Sequence, residues 1–101
     1  MKFYVGIGRF GLLIGESSSL KDKRRLVKSL LDRLGNSRMV AASEVGGQDS
    51  WKSGTVAVTC VSGSMDLVRG ALDKARRTIE SSGVEVIDAE QWILKPEDLD
   101  A

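Results

Sequence analysis

Four basic side chains follow one another along the first predicted helix, at a spacing that places them on a single ridge. They occupy positions i, i+3, i+4 and i+7 and are Lys21, Arg24, Arg25 and Lys28. Cations in the first turns of a helix oppose the helix dipole, which favours acidic side chains there by about 0.3–1 kcal/mol per charge. Helix stability therefore does not explain the ridge, and an anionic partner would relieve the repulsion.

Two serines lie at the predicted start of the same helix. Ser18 and Ser19 add hydroxyl groups to the free backbone N–H groups of a helix N-terminus, a combination that binds phosphate. Together with the four cations they form the candidate nucleic-acid or anion site. Two other interpretations stay open: a solvated charged face that pairs with acids near the C-terminus, and a contact with an acidic protein.

A second group of polar residues surrounds a predicted hairpin turn and comprises Glu44, Gln48, Asp49 and Trp51. General acid–base catalysis by the two carboxylates would need unequal environments and a cleft, which a hairpin does not guarantee. We expect Asp49 to accept hydrogen bonds from turn N–H groups and Trp51 to pack over a strand or the first helix. The alternative is that Trp51 stacks on a nucleotide base.

The chain has no histidine and one cysteine, Cys60. Histidine-dependent nucleophiles, imidazole bases and histidine-containing metal sites are therefore excluded. Cys60 lies in an apolar run, which indicates packing, and it has no second cysteine to pair with. We expect a protein that is not an enzyme and has no metal and no cofactor.

Length and composition indicate one domain: 101 residues, 42% hydrophobic and 29% charged, are typical of a single globular unit. We expect a domain over residues 1–95 and a short acidic tail over 96–101.

No apolar run approaches the roughly 20 residues of a membrane helix, and the start of the chain lacks a signal-peptide pattern, so we expect no membrane contact and a cytoplasmic location. The net charge of +1 hides an asymmetry, with seven basic and two acidic residues at 20–38 and seven acidic and one basic at 80–101.

Hydrophobic periodicity and capping residues predict six elements in the order βαββαβ. Ser19 and Ser64 are the predicted N-caps of the two helices. The predicted strands span residues 3–14, 39–45, 55–61 and 84–94, and the predicted helices end near residues 35–36 and 82–83. This order predicts an α+β, ferredoxin-like fold, a four-stranded antiparallel sheet with both helices on one face and the first and third strands in its centre.

The second face of such a sheet is open. Val5, Ile7 and Leu13 on the first strand, joined by Trp92 on the last, are predicted to lie there. Exposed apolar sheet surface usually marks an interface, so these four residues predict a homodimer. A slip of one residue in strand register would instead turn them toward the core.

Two segments carry a resemblance to a known family. Residues 19–25 read SLKDKRR, and Glu44-Val45 is followed by Gln48-Asp49 and Trp51. In this order and spacing, together with 5–7 and 28–34, they resemble the YlxP-like family of small bacterial proteins of unknown function. The resemblance implies a ferredoxin-like fold, no established enzyme activity, and genes that often lie beside those for translation initiation and ribosome maturation.

The sequence departs from this family at two positions. Gly47 stands where relatives often have histidine, and Trp92 stands where many have a charged residue. A role assigned to that histidine therefore does not apply to this chain.

Two functions remain. The first is an RNA- or ribosome-associated accessory factor that binds phosphate backbone through the basic ridge, with an affinity that falls steeply with salt. The second is a protein-interaction module or homodimer that uses the open sheet face without nucleic acid and tolerates salt. The sequence identifies no small-molecule substrate.

Overall fold

A computed structural model describes residues 1–15 and 17–99. The elements are strand β1 (Tyr4–Leu13), helix α1 (Leu20–Gly35), strands β2 (Ala41–Gly46) and β3 (Ser53–Ser62), helix α2 (Met65–Glu80) and strand β4 (Glu85–Leu94), followed by a short 3-10 helix (Pro96–Leu99). The predicted order βαββαβ is confirmed. Positions 100 and 101 of the predicted acidic tail lie outside the described residues.

The four strands form one antiparallel sheet in the order β2-β3-β1-β4. Both helices pack on one face of this sheet, α1 against β2 and α2 against β1, β3 and β4. The α+β, ferredoxin-like architecture is therefore confirmed, with the first and third strands in the centre as expected. No helix in the described ranges is long and apolar enough to cross a membrane.

Serine hydroxyls begin both helices, as the sequence predicts. Ser19 Oγ accepts a hydrogen bond from the backbone N–H of Asp22 at 3.1 Å, and Ser64 Oγ accepts one from Leu67 at 3.3 Å. Each bond satisfies a backbone donor that has no partner inside the helix. The helix starts are thus fixed by local chemistry.

The core lies between the sheet and the helices. Alternate residues of β1 and β3 face it, including Phe10, Leu12 and Val58, and they meet the apolar stripe of each helix. Gly6 is required where α2 crosses β1, because a Cβ there would lie 2.5 Å from Val68 Cγ1. Cys60 is buried beside this crossing, and burial raises the pKa of its thiol.

Candidate anion-binding surface and the adjoining hairpin

All four ridge cations of α1 are exposed. The opposite side of the helix is buried against the sheet through Val27, Leu30 and Leu34. Lys28 pairs with Asp32 one turn later, with 3.1 Å between Nζ and Oδ2. Within residues 1–15 and 17–99, Lys21, Arg24 and Arg25 have no carboxylate within 4.0 Å, so three adjacent cations face solvent without forming an ion pair.

The two serines at the helix start are occupied by the helix itself. Ser18 Oγ donates to Asp22 Oδ2 at 2.6 Å, while Ser19 caps the backbone. The hydrogen bond from Ser18 is the main cause that lowers the pKa of Asp22, with smaller contributions from Ser19 and the charge of Arg25. The Ser19 hydroxyl thus satisfies the N–H of Asp22, the Ser18 hydroxyl is bonded to the Asp22 carboxylate, and the side of the helix that carries the cations remains available to an anion.

A fifth cation of α1 has a different surrounding. Lys23 is fully buried, and its ammonium lies 2.5 Å from Glu44 Oε2 and donates to the carbonyl oxygen of Gly47 at 2.7 Å. Gly54 on β3 leaves room for this pair, because a Cβ there would lie 3.1 Å from Glu44 Oε2. Sequence analysis missed Lys23, although it stands four residues before Val27 and so on the apolar stripe. The pair ties α1 to the β2–β3 hairpin.

Glu44 is therefore a structural residue in this fold. Its carboxylate is satisfied by the ammonium of Lys23, and its side chain is only 18% exposed. Asp49, the other carboxylate of the hairpin motif, is exposed at the tip. The two carboxylates differ in environment, but Glu44 faces the helix layer and not a cleft, so the arrangement favours packing over acid–base chemistry.

The hairpin tip, residues 47–52, is held against the N-terminal side of the domain. The backbone N–H of Ile14 donates to the carbonyl oxygen of Lys52 at 2.7 Å, and Lys23 holds Gly47 from the other side. Trp51 keeps 42% of its surface exposed, and the Lys52 ammonium lies 4.8 Å from the centre of a Trp51 ring. A cation and an aromatic side chain are thus presented together beside the start of α1.

One expectation for the hairpin tip is wrong. The N–H groups of Lys52 and Ser53 donate to Ser50 Oγ, each at 3.3 Å, and not to Asp49. Gln48 lies nearby and its amide donates weakly to the carbonyl oxygen of Glu44 at 3.5 Å. Serine accepts hydrogen bonds from turn N–H groups as aspartate does, so the residue types alone could not show whether Asp49 or Ser50 would be the acceptor.

The open face of the sheet carries all four residues of the predicted dimer face. Ile7 lies directly beside Trp92, and Val5 follows at the same end of β1. Leu13 lies at the other end of the strand, separated from these three by Arg9 and Gly11. Trp92 and Leu13 are each 40% exposed. The strand register is therefore the expected one, and the apolar area is concentrated at one end.

A charged cluster divides this open face. Arg9 donates to Asp88 Oδ1 at 3.1 Å and to Glu90 Oε1 at 2.5 Å. The hydrogen bond that Arg9 donates to Glu90 is the main cause that raises the pKa of Arg9, and the charge of Asp88 adds to it. Sequence analysis did not single out Arg9, although strand alternation places it with Val5 and Ile7.

The charge asymmetry of the sequence separates the two layers of the fold. Helix α1 carries six basic and two acidic side chains, whereas β4 carries three acidic side chains and no basic one. The helix layer is thus the positive side of the domain. In the part of the chain that the structure describes, no three acidic, cysteine or histidine side chains cluster as a metal site would require.

Comparison with known proteins gives the following similarities. The family model described as "Protein of unknown function (DUF503)" matches residues 5–91. The uncharacterized protein YlxP of Bacillus subtilis (strain 168) is 31% identical over 77 residues, which is 76% of this chain and 84% of that protein. A solved structure described as structural genomics protein YJCS has a TM-score of 0.50 at 12% identity, over 91% of this chain and 97% of that chain. This likeness shows the fold alone.

Proposed function

This chain belongs to the DUF503 family of proteins of unknown function, and we propose that it is a non-enzymatic cytoplasmic accessory factor that binds structured RNA, in or near the ribosome, through the ridge of α1. The ridge contacts the phosphate backbone, so the protein recognises charge density and shape, with no readout of base sequence. The genes that the family resemblance places nearby support the ribosomal setting.

The observation that carries this proposal is a set of exposed cations, three of which form no ion pair with any residue that the structure describes. Lys21, Arg24 and Arg25 extend over the first turns of α1, and Lys28 continues the line. At 1.5 Å rise per residue the four span about 10 Å, enough to meet two or three successive phosphates. Folding does not require these cations, because the side of α1 that packs against the sheet is the side opposite the ridge.

The hairpin tip, next to the start of α1, supplies a second contact. Lys52 adds a cation, and Trp51 presents an exposed ring on which an unpaired base can stack. The pair of Lys23 with Glu44 fixes the position of the tip relative to α1. RNA with a loop or bulge next to a helix therefore fits this surface better than a regular duplex.

Fluorescence anisotropy with a labelled stem-loop RNA, measured over a series of salt concentrations, tests the proposal. If about three phosphates are neutralised, log K falls with log salt at a slope of roughly −2 to −3. The triple variant Arg24→Glu, Arg25→Glu, Lys28→Glu should lose binding and keep its fold.

The matched control reverses three arginines on α2, Arg69, Arg76 and Arg77, whose charges are balanced by acids on the same helix, Arg76 with Glu80 among them. This control should keep most of the binding. Unchanged binding in the α1 variant, or a flat salt profile in the parent, would contradict the proposal.

A second function, a protein-interaction module on the open sheet face, is favoured by one observation. Trp92 is 40% exposed beside Ile7, with Val5 next to them. Such a contact would tolerate salt and resist nuclease. Retention of partners from lysate at low and high salt, with and without nuclease, separates the two functions: loss with salt or nuclease supports the ridge, and retention under both supports the sheet face.

A further inference from the structure

The sheet has two edges, and they differ in how they resist pairing with another strand. β4 forms one edge, and it carries Glu85, Asp88 and Glu90 together with a register shift in its pairing with β1. Charged side chains and bulges are the devices by which proteins keep an edge strand from pairing. The β4 edge is thus protected.

The edge formed by β2 also has a register shift, between Glu44 and Gly46, but it has none of these charges in an exposed position. Its residues read AASEVG, without proline or a basic residue, and its only charged side chain, Glu44, is turned to the helix layer and neutralised by Lys23. The exposed side chains are those of Ala41, Ser43 and Val45, and Val45 is 53% exposed. β2 therefore presents unpaired backbone groups flanked by small uncharged side chains.

Two shallow cavities adjoin this edge. One, of about 300 Å³, lies on the open face between β2, β3 and β1 and is lined by small or apolar residues that include Ile7, Ala41, Ser43, Ala57 and Thr59. The other, of about 250 Å³, lies where the chain enters β2 and includes Arg38 and Met39. Ala41 and Thr59 border both, so the uncovered apolar surface continues along β2.

The charges at the two ends of β2 indicate what covers this edge. Arg38 precedes the middle residue Ser43 by five positions, and Gln48 and Asp49 follow it by five and six. Both charged residues lie in the turns that flank β2, one at each end of the strand. Arg38 and Asp49 are exposed, and neither has an ion-pair partner among residues 1–15 and 17–99.

We propose that β2 pairs antiparallel with β2 of a second copy of this chain, about a two-fold axis near Ser43, to form one continuous sheet of eight strands. In this arrangement Arg38 of each copy lies next to Gln48 and Asp49 of the other, so the two ends are complementary and the contact between Arg38 and Asp49 forms twice. Ser43 lies beside its own counterpart, and Ala41 lies beside Val45. The pairing brings no like charges together, because each Glu44 remains bonded to its own Lys23.

Sedimentation velocity of the full chain over a range of concentrations tests this dimer. The parent should be a dimer at high micromolar concentration. Val45→Lys, which places a charge on the β2 edge, should give a monomer. Ile87→Lys is the matched control on the β4 edge, where the side chain is 57% exposed, and it should leave the dimer intact.

A charge exchange tests the register without disturbing the strand. Arg38→Glu and Asp49→Arg should each raise the dissociation constant of the dimer roughly tenfold, because two symmetry-related contacts are lost. The double variant should return it close to that of the parent. Circular dichroism verifies the fold of each variant, and the exchange remains informative if Val45→Lys does not fold.

Three results would overturn the proposal: a parent that stays monomeric at high micromolar concentration, a dimer that survives Val45→Lys, or a double variant no better than the single ones. A dimer that Trp92→Glu dissolves and Val45→Lys spares would place the interface on the open sheet face instead.

Discussion

In the described residues, the covered face of the sheet carries one ion pair and the open face carries two that share Arg9, and the two groups differ in burial more than in distance. On the face covered by the helices, Lys23 lies 2.5 Å from Glu44 and its side chain has no exposed surface. On the open face, Arg9 lies 3.1 Å from Asp88 and 2.5 Å from Glu90, with 33% of its side chain exposed and more than half of each acid exposed. Ion pairs of similar length are thus buried on one face and exposed to solvent on the other.

This difference in burial shows which charged side chains contribute to the stability of the fold. A buried charge must keep its partner, whereas water screens an exposed pair and reduces its contribution to stability. Lys23 and Glu44 belong to the two segments that carry the family resemblance, so one contact explains a residue in each. The exposed cations beside Lys23 have no such explanation, and this is the reason to seek their partner outside the chain.

The largest effect is expected from breaking the covered pair. Among the residues that the structure describes, Glu44→Ala leaves the buried Lys23 ammonium with only the Gly47 carbonyl oxygen as a partner, and it should lower the free energy of unfolding by about 3 kcal/mol. Urea denaturation measures this loss. The double variant Lys23→Met, Glu44→Leu should recover most of it, since it removes both charges. Exposed ion pairs contribute less than about 1 kcal/mol. A loss in that range for Glu44→Ala would contradict the conclusion that the covered pair contributes more to stability than the open one.

A smaller effect is expected on the open face. Arg9→Ala should lower the free energy of unfolding by less than about 1 kcal/mol, because its partners are exposed. The difference from the parent should shrink further in high salt, which screens exposed charges. Urea denaturation of both proteins at low and high salt measures it. A loss as large as that in Glu44→Ala would mean that the open face is covered by a partner in solution.

The smallest effect on stability is expected for Asp22 at the start of α1, whose hydrogen bonds come from the neighbouring residues Ser18 and Ser19. The pKa of Asp22 is lowered mainly by the Ser18 hydroxyl, so its contribution to stability is present above the unfolded pKa of about 3.9 and is lost as the pH falls through the lower folded value. Ser18→Ala should move this loss to higher pH. Acid unfolding followed by circular dichroism measures the midpoint. An unchanged midpoint would show that the Ser18 bond does not control Asp22.

The fold could be predicted because each element has a local cause. Ser19 and Ser64 cap the helices, and the periodicity of β1 separates Phe10 and Leu12 from Val5 and Ile7. Strand bounds were less certain, and β2 begins at Ala41 where the apolar pattern begins at Met39. Met39 and Val40 pack against the core before the strand starts. Hydrophobicity alone does not distinguish a residue that packs in this way from one that pairs in a strand.

The site could be predicted only in part, because exposure of a charge depends on which elements meet. The ridge cations are exposed as expected, but Lys23 stands among them in the sequence and is buried in the structure. Its position on the apolar stripe was the available signal. Its partner Glu44 lies on strand β2, 21 residues later in the sequence, and only the packing of α1 on the hairpin brings them together.

The most direct test of the proposed function is a nuclear magnetic resonance titration of the labelled protein with a short stem-loop RNA. We expect the amide shifts to concentrate at the start of α1, around Arg24 and Arg25, with a second group at Trp51 and Lys52. They should disappear in the triple variant of α1 and fade with salt. Shifts centred on Ile7 and Trp92 of the open face, or none at low salt, would contradict the assignment of RNA binding to the ridge.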